Sequence, residues 1–330
     1  MPAKHNTEGD PVSVTMNVDE VAMIRVLGIH DRVLSHLEAQ CPTVVISARG
    51  NTISLSGPAA DIEAAQALLR ELIQVAKSGI QVSDDDVVRA AAIQGQGGGA
   101  VTEFLSQPIL TSKGQSIQPK TVGQKKYVEA IDAFTIVFGI GPAGTGKTYL
   151  AMAKAVQALQ RKEIDRIILT RPAVEAGEKL GFLPGTLSDK IDPYLRPLFD
   201  ALHEMMDPEL VPKLLASGTV EVAPLAYMRG RTLNRSFIIL DEAQNTSPEQ
   251  MKMFLTRLGF GSRMVITGDV TQVDIPGGNS GLKVIGGILD GLDDIHFHHL
   301  TAKDVVRHSL VSAIVEAYAR YDEREVNRER

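Results

Sequence analysis

Eight consecutive residues, Gly141 to Thr148, carry the most specific chemical pattern in this sequence. They read Gly-Pro-Ala-Gly-Thr-Gly-Lys-Thr, and they lie between an apolar stretch and a stretch with helical spacing. In such a loop, glycines let backbone N–H groups turn towards phosphate oxygens, and the helix start adds partial positive charge. Lys147 is expected to reach the β- and γ-phosphates and Thr148 to bind Mg²⁺. The predicted cradle consists of Gly141, Pro142, Ala143, Gly144, Thr145, Gly146, Lys147 and Thr148.

Two carboxylates follow directly after a second apolar stretch, residues 237–240. Asp241 is the expected Mg²⁺ ligand, directly or through water, and Glu242 is expected to orient or deprotonate an attacking water. One carboxylate is enough for a phosphoryl-transfer kinase or a switch GTPase, so the pair favours hydrolysis. The alternative for Glu242 is a cap on the next helix.

A third apolar stretch ends in Thr267-Gly268-Asp269, and Gln272 follows about one turn later. Polar groups at the carboxyl ends of parallel strands meet at one edge of a sheet, which is where sites of α/β proteins form. Gln272 is therefore expected beside the first two motifs, where it can sense the γ-phosphate. The alternative is an ordinary turn after a strand.

A glutamine, Gln124, lies about 20 residues before the loop. Its amide offers one acceptor and a donor group, so it can pair with the N6 and N7 edge of adenine. This placement fits the adenine-reading glutamine of helicase-like ATPases. The base that is read would then be adenine, and the nucleotide ATP.

Six apolar stretches alternate with helical patterns from residue 119 onward. Continuous apolar strands separated by helices predict a mostly parallel sheet with both faces covered, in an α/β domain of residues 119–322. A charged tail, residues 323–330, follows. The predicted strands are residues 133–140, 166–170, 219–223, 237–240, 264–267 and 295–298.

A smaller domain is predicted for residues 11–82, with the order strand, helix, helix, strand, strand, helix. This α+β order resembles a type-one KH domain, whose G-x-x-G loop clamps a nucleic-acid backbone. Here the loop ends in Asp31 after Gly28, and an aspartate repels phosphate. The alternative is a docking or oligomerisation module. Residues 83–118 are predicted as a flexible connector with a small hairpin around Lys113-Gly114.

Composition limits the class of protein. The chain has 330 residues, 44% of them hydrophobic, a net charge of -6 and one cysteine, Cys41. An internal disulfide is impossible, which fits a reducing cytoplasm. We find neither a secretory signal pattern nor an apolar run long enough to cross a membrane. The acidic balance restricts any nucleic-acid surface to a local patch.

Together these motifs resemble the first core domain of superfamily-one helicases, with a RecA-like P-loop NTPase fold. A closer resemblance is to the PhoH family of ATPases over residues 117–321. It rests on residues 177–185, on Asp-Glu-Ala-Gln-Asn from Asp241, on Thr-Gly-Asp-Val-Thr-Gln up to Gln272, and on Ser-Gly-Leu from Ser280. The resemblance implies a cytoplasmic ATPase linked to RNA metabolism, an oligomer with a hexameric ring favoured, and partners of the YbeY endoribonuclease type.

Only about 60 residues follow Gln272, too few for the second core domain with which a helicase closes its site. The missing arginine is therefore expected from a neighbouring subunit. Arg307 is the first candidate, with Arg257 and Arg231 as rivals. Competing hypotheses are a nucleotide-switched scaffold and a small-molecule kinase; the paired carboxylates and Gln272 argue against the kinase.

Three further features have two interpretations each. His296 and His298 share a face of a predicted strand, and we interpret them as strand-end histidines rather than a metal pair. Arg171 resembles the helicase segment that contacts single strands, but it equally fits a conformational role at a strand end. Residues 177–185 are rich in glycine and are interpreted as a loop facing a partner or nucleic acid.

Overall fold

The chain forms two compact units. The smaller unit comprises residues 1–108 and 120–122, and the larger comprises residues 109–119 and 123–330. The computed structural model describes residues 12–18, 23–28, 32–77, 82, 86–87, 90–91, 108–112, 115–172, 187–275, 279–306, 311, 314 and 317–318.

The smaller unit is a three-stranded antiparallel sheet with helices. Its strands are arranged in the order β1-β3-β2, so the last strand in sequence lies in the middle. Ile53 and Leu55 of that strand and Leu69 and Leu72 of the longest helix are fully buried in its core. The elements are β1 (Val12–Asn17), α1 (Met23–Leu27), α2 (Arg32–Gln40), β2 (Val45–Arg49), β3 (Thr52–Gly57) and α3 (Ala59–Lys77).

The larger unit contains a short hairpin, a six-stranded sheet and the helices between its strands. The hairpin consists of β4 (Leu110–Ser112) and β5 (Gln115–Ile117). The remaining elements are α4 (Val122–Ala133, whose first residue groups with the smaller unit), β6 (Ile136–Ile140), α5 (Lys147–Gln160), β7 (Arg166–Arg171), α6 (Leu187–Met205), α7 (Val211–Ala216), β8 (Val220–Pro224), β9 (Ser236–Leu240), α8 (Pro248–Leu255), β10 (Arg263–Gly268), α9 (Gly281–Ile288) and β11 (Ile295–His299). Short 3₁₀ turns occur at Leu225–Met228, Ala243–Asn245 and Ala302–Asp304.

All neighbouring strands of the large sheet are parallel, in the order β11-β6-β10-β9-β7-β8. The register pairs Ile140 with Gly268, Ile266 with Leu240, and Leu240 with Thr170. The carboxyl ends of β6, β10, β9 and β7 therefore lie side by side at one edge. This confirms the predicted α/β fold with a parallel sheet and a small α+β unit before it.

Alternate residues of the central strands enter two separate cores. Phe237 and Ile239 belong to one cluster, whereas Ile238 and Leu240 of the same strand belong to the other. Every residue of β9 is buried, as is every residue of β6. Helices cover both faces, which explains why these strands read as continuous apolar runs.

The hairpin belongs to a different part of the chain from the one predicted. The sequence placed it in the connector of residues 83–118, but the structure groups it with the larger unit. Ile109, Leu110 and Ile117 are buried in the same core as β6 and α5, and the Gln157 amide donates to the Ile109 carbonyl. Leu110 and Ile117 are paired across the two strands, and with Ile109 they give this short segment an apolar surface to bury.

Several predicted features lie outside the described residues: Asp31 of the KH-like loop, the glycines of residues 95–99, residues 177–185, Arg307 and the charged tail. The KH-like character of the smaller unit stays a prediction. Among the described residues, no helix has both the length and the apolar content needed to cross a membrane.

Candidate active site

The phosphate-binding loop joins the end of β6 to the start of α5. Gly144 and Gly146 have φ angles of 83° and 76°, a left-handed conformation that glycine adopts without steric cost. At Gly141 a side chain is excluded for another reason, since a Cβ atom there would lie 2.4 Å from the Leu300 carbonyl oxygen. The backbone can therefore form the concave turn that a phosphate group requires.

Lys147 is held at this turn by its own loop. Its ammonium donates hydrogen bonds to the carbonyl oxygens of Gly141 and Pro142, across 2.7 and 2.8 Å. Behind it, the buried Tyr127 hydroxyl donates to the Lys147 carbonyl, and burial raises the pKa of that hydroxyl. These contacts place the positive charge of Lys147 inside the loop; its reach to the β- and γ-phosphates stays a prediction.

Three oxygen atoms converge where α5, β9 and β10 meet. Thr148 Oγ1 donates to Asp241 Oδ1 across 2.6 Å, and Thr267 Oγ1 donates to the same carboxylate oxygen across 2.9 Å. The two hydroxyl oxygens are 3.1 Å apart. Hydroxyl and carboxylate oxygens are the hard donors that Mg²⁺ prefers, so Thr148 and Asp241 fit this ion.

Glu242 lies next to this cluster in a strained backbone conformation, with a φ of 52°. One carboxylate oxygen is 3.3 Å from the Arg171 guanidinium. The other accepts a hydrogen bond from the Gln244 amide nitrogen. The Gln244 amide oxygen in turn accepts from the Asp269 N–H across 3.0 Å. Glu242 is thereby connected to the segment that follows β10.

The predicted motifs share one cleft. The Gln272 N–H donates to the Asp269 carbonyl across 3.0 Å, and the Gln272 side chain is exposed. Polar residues that follow different strands thus meet at the carboxyl edge of the sheet, as expected for the ends of parallel strands. The residues that line the cleft are Ala143, Gly144, Gly146, Lys147, Thr148, Tyr149, Asp241, Glu242, Gly268, Asp269 and Gln272.

Gln124 lies beneath the loop and is 3% exposed. Its amide nitrogen donates to the carbonyl oxygens of Thr145 and Asp304, across 3.1 and 3.3 Å. These bonds join α4, the phosphate-binding loop and the 3₁₀ turn after β11. The adenine-reading role of Gln124 stays a prediction, and the structure adds a supporting role for the loop.

Arg307 lies outside the described residues, but Val306 just before it donates its N–H to the Gly144 carbonyl across 3.0 Å. Both rival arginines have partners within the chain. Arg231 forms a bidentate pair with Glu221 at 2.6 and 2.7 Å. Arg257 donates to backbone carbonyls, including that of Arg231. Both guanidinium groups therefore make hydrogen bonds within their own subunit.

The histidines of β11 have structural partners. A ring nitrogen of His298 is 2.9 Å from the Gly123 carbonyl oxygen, and burial lowers the pKa of His298. His296 stacks on Phe134 with ring centroids 4.9 Å apart. Within the described part of the chain, no group of three or more His, Cys, Asp or Glu side chains is placed to hold a metal. These contacts agree with the interpretation as strand-end histidines.

Sequence reasoning gave no individual role to two residues of the site, Gln244 and Thr267. Gln244 and Thr267 are almost completely buried polar residues, and each bonds to a predicted site residue or its neighbour. A threonine within an otherwise apolar strand is the signal that could have pointed to Thr267. Arg171 was considered, but its contact with Glu242 depends on strand order, which the motif does not encode.

Comparisons with known proteins agree with this geometry. The family model described as "PhoH-like protein" matches residues 116–319. A PhoH-like protein of Mycobacterium tuberculosis is 60% identical over 315 residues, covering 94% of this chain and 89% of that protein. A PhoH-like protein of Bacillus subtilis is 51% identical, covering 92% and 95%. Protein PhoH of Escherichia coli is 41% identical over 211 residues, covering 62% of this chain and 58% of that protein. The phosphate-binding loop, the paired carboxylates and these similarities over most of its length show that the chain belongs to the PhoH family.

Proposed function

We propose that this chain binds ATP together with Mg²⁺ and hydrolyses it. The observation that carries the proposal is the contact between Thr148 Oγ1 and Asp241 Oδ1, with Glu242 lining the same cleft. A phosphate-binding loop alone is common to kinases, switches and hydrolases. The carboxylate pair supports hydrolysis, because one member can hold the metal and the other can act on water.

Each polar group has its own role in this reaction. The loop N–H groups and Lys147 bind phosphate oxygens, while Thr148 and Asp241 hold Mg²⁺. When bound, Mg²⁺ neutralises negative charge on the phosphate oxygens. Glu242 orients a water molecule and accepts its proton as the water oxygen bonds to the γ-phosphorus and the bond to the ADP oxygen breaks. Gln272 contacts the γ-phosphate from the other side of the cleft.

An arginine completes the site in this proposal. Among the described residues, none of those lining the cleft is an arginine, although charge on the transferred phosphoryl group is commonly neutralised by one. Arg307 is proposed for this role, supplied by a neighbouring subunit of a ring, with six subunits favoured. Since Val306 contacts the loop of its own subunit, action within one subunit is the competing outcome.

We propose that the free energy of ATP hydrolysis is used in RNA metabolism in the cytoplasm. The support is the resemblance of the motifs to helicase core domains and the element order of the smaller unit. The single free cysteine, Cys41, is compatible with a reducing compartment. The chain's net charge of -6 confines contact with RNA to a local surface.

A second candidate function is a nucleotide-switched scaffold. It is favoured by the contacts on Glu242, whose two carboxylate oxygens both have side-chain partners. Slow hydrolysis would then only time the binding of another protein, such as an endoribonuclease of the YbeY type or a ribosomal protein.

One experiment separates these functions: the ATPase rate of the intact chain against protein concentration, with and without single-stranded RNA. The first function predicts a specific activity that rises with concentration and increases with RNA. The scaffold predicts a slow rate that RNA does not change, with partner binding that follows the nucleotide state.

Two variants test the chemistry. Lys147→Ala is expected to lose nucleotide affinity and turnover together. Glu242→Gln is expected to bind ATP and lose turnover. Lys126→Ala, an exposed lysine of α4, is the matched control. Wild-type turnover by Glu242→Gln would overturn the assignment of the water-orienting role.

A further inference from the structure

The carboxylate of Glu242 is contacted from two sides. On one side is Arg171, the last residue of β7, with its guanidinium 3.3 Å from the carboxylate. On the other side is Gln244, which is also bonded to the N–H of Asp269, the residue that follows β10. The Arg171 and Glu242 side chains are 22% and 35% exposed, so the pair is partly open to solvent.

The strand order gives these two contacts opposite directions. Glu242 follows β9 by two residues, and β9 has β10 and then the loop-bearing β6 on one side and β7 on the other. Gln244 therefore holds the carboxylate towards the strands that carry the phosphate-binding loop. Arg171 draws it towards β7, and Arg171 is not one of the residues that line the cleft.

The backbone holds Asp241 independently of the Glu242 side chain. Glu242 has a φ of 52°, which places it in a left-handed conformation between β9 and a short 3₁₀ turn. The Asp241 N–H remains bonded to the Thr170 carbonyl across 2.9 Å, so the metal-binding residue stays fixed next to β7. A movement of the Glu242 side chain thus leaves Asp241 in place.

We propose that Arg171 is a positioning residue that restrains Glu242 and so limits the rate of ATP hydrolysis. While the guanidinium pairs with the carboxylate, the positive charge of Arg171 stabilises the charged form of Glu242 and makes it a weaker acceptor for the proton of water. When the pair opens, Glu242 keeps its contact with Gln244 and can act on water. This inference rests on the proposed ATPase function.

The partial exposure of the Arg171–Glu242 pair limits how strongly Arg171 can restrain Glu242. A partly exposed ion pair shifts the preference between two side-chain positions by only a few-fold. Loss of Arg171 should therefore raise kcat by about two- to fivefold and leave KM for ATP unchanged within about twofold, since Arg171 does not line the nucleotide cleft. A lysine at this position retains the charge and should restore most of the restraint.

The test measures kcat and KM of the full chain and of Arg171→Ala and Arg171→Lys. Arg166→Ala is the matched control, because Arg166 is exposed at the other end of the same strand. Arg171→Ala is also combined with Glu242→Gln. If Arg171 acts through Glu242, its removal has no effect on the residual rate of Glu242→Gln.

The expected result is a higher kcat for Arg171→Ala alone, a rate close to wild type for Arg171→Lys and Arg166→Ala, and no gain in the double variant. An unchanged or lower kcat for Arg171→Ala would overturn the inference, as would an equal gain in the Glu242→Gln background. Wild-type protein that hydrolyses no more ATP than Lys147→Ala would instead overturn the proposed function, and the inference with it.

Discussion

Thr148 Oγ1 donates a hydrogen bond to Asp241 Oδ1 across 2.6 Å, although 93 residues separate the two in the chain. Thr148 lies in the first turn of the helix after β6, and Asp241 follows β9. The strand between them, β10, adds Thr267, whose hydroxyl donates to the same oxygen. The candidate metal position therefore depends on three neighbouring strands being in correct register.

Asp241→Asn tests this position. The amide retains an oxygen that can accept from Thr148 but loses the charge, so we expect turnover to fall at least about a hundredfold, since a bound metal ion contributes several kcal/mol to catalysis. The measurement is ATPase rate over a Mg²⁺ titration, with nucleotide binding in EDTA as a second readout. Asp290→Asn, at an exposed position, is the control. Full turnover at ordinary Mg²⁺ concentration would contradict the assignment.

Arg307→Ala tests the completing arginine. We expect turnover to fall about a thousandfold or more while ATP binding persists, because such an arginine acts on the transition state. Mixing Arg307→Ala with Lys147→Ala should recover activity, since one partner supplies an intact loop and the other an intact arginine. Arg229→Ala, at an exposed position, should behave as wild type. Loss of turnover without recovery on mixing would show that the arginine acts in its own subunit.

Gly123→Ala tests the attachment of the segment after β11. An alanine in a helix is usually more stable than glycine by about 1 kcal/mol. At Gly123, however, a Cβ atom would lie 2.3 Å from the Asp304 carboxylate. We expect the free energy of unfolding to fall by about 1–3 kcal/mol, as for other overpacked sites.

Gly286→Ala is the matched control for this change. Gly286 lies in α9, and a Cβ atom added there would meet no described residue within 4 Å apart from its own helix backbone and chain neighbours. Alanine at this position should therefore raise the free energy of unfolding by about 0.5–1 kcal/mol. Urea denaturation measures both. Equal effects of the two substitutions would show that Asp304 moves away without cost.

His298 makes stability depend on pH. Burial lowers the pKa of His298 from its ordinary value of 6.5, and the nearby His296 and His299 act in the same direction. The unfolded chain then binds the proton more tightly than the folded one. The stability that neutral His298 contributes is therefore fully present above about pH 6.5. As the pH falls below this value, the free energy of unfolding decreases by up to about 1.4 kcal/mol per pH unit.

His298→Gln keeps a donor near the position of Nε2, which contacts the Gly123 carbonyl, and removes the titration. Its free energy of unfolding should fall less steeply than that of wild type between about pH 7.5 and pH 5.5. His203→Asn, an exposed histidine of α6, controls for general effects of acid. Parallel pH profiles for wild type and His298→Gln would contradict the prediction.

The sequence predicted the parts of the site that are local. The loop from Gly141 to Thr148 and the pair Asp241 and Glu242 are contiguous motifs beside apolar strands, and all six strands formed within a few residues of the predicted bounds. The continuous apolar stretches also predicted the parallel sheet, because strands that are buried on both faces lack an alternation of apolar and polar residues.

Strand order was not predictable from the same patterns. The contact of Arg171 with Glu242 requires β7 beside β9, and the link from Gln244 to Asp269 requires β10 on the other side. Neither adjacency follows from the order of strands in the chain. The hairpin of β4 and β5 was assigned to the connector because its few apolar residues do not reveal which core they enter.

The backbone ties between residues 300–306 and the phosphate-binding loop determine how short a working fragment can be. The predicted nucleotide-site residues other than Arg307 end at Gln272, yet the Leu300 N–H bonds to the Ile140 carbonyl and the Val306 N–H bonds to the Gly144 carbonyl. Cutting the chain soon after Gln272 would remove β11, turn β6 into an edge strand and remove one hydrogen bond from the end of β6 and one from the loop. The smallest nucleotide-binding piece of this protein must therefore extend some thirty residues past Gln272.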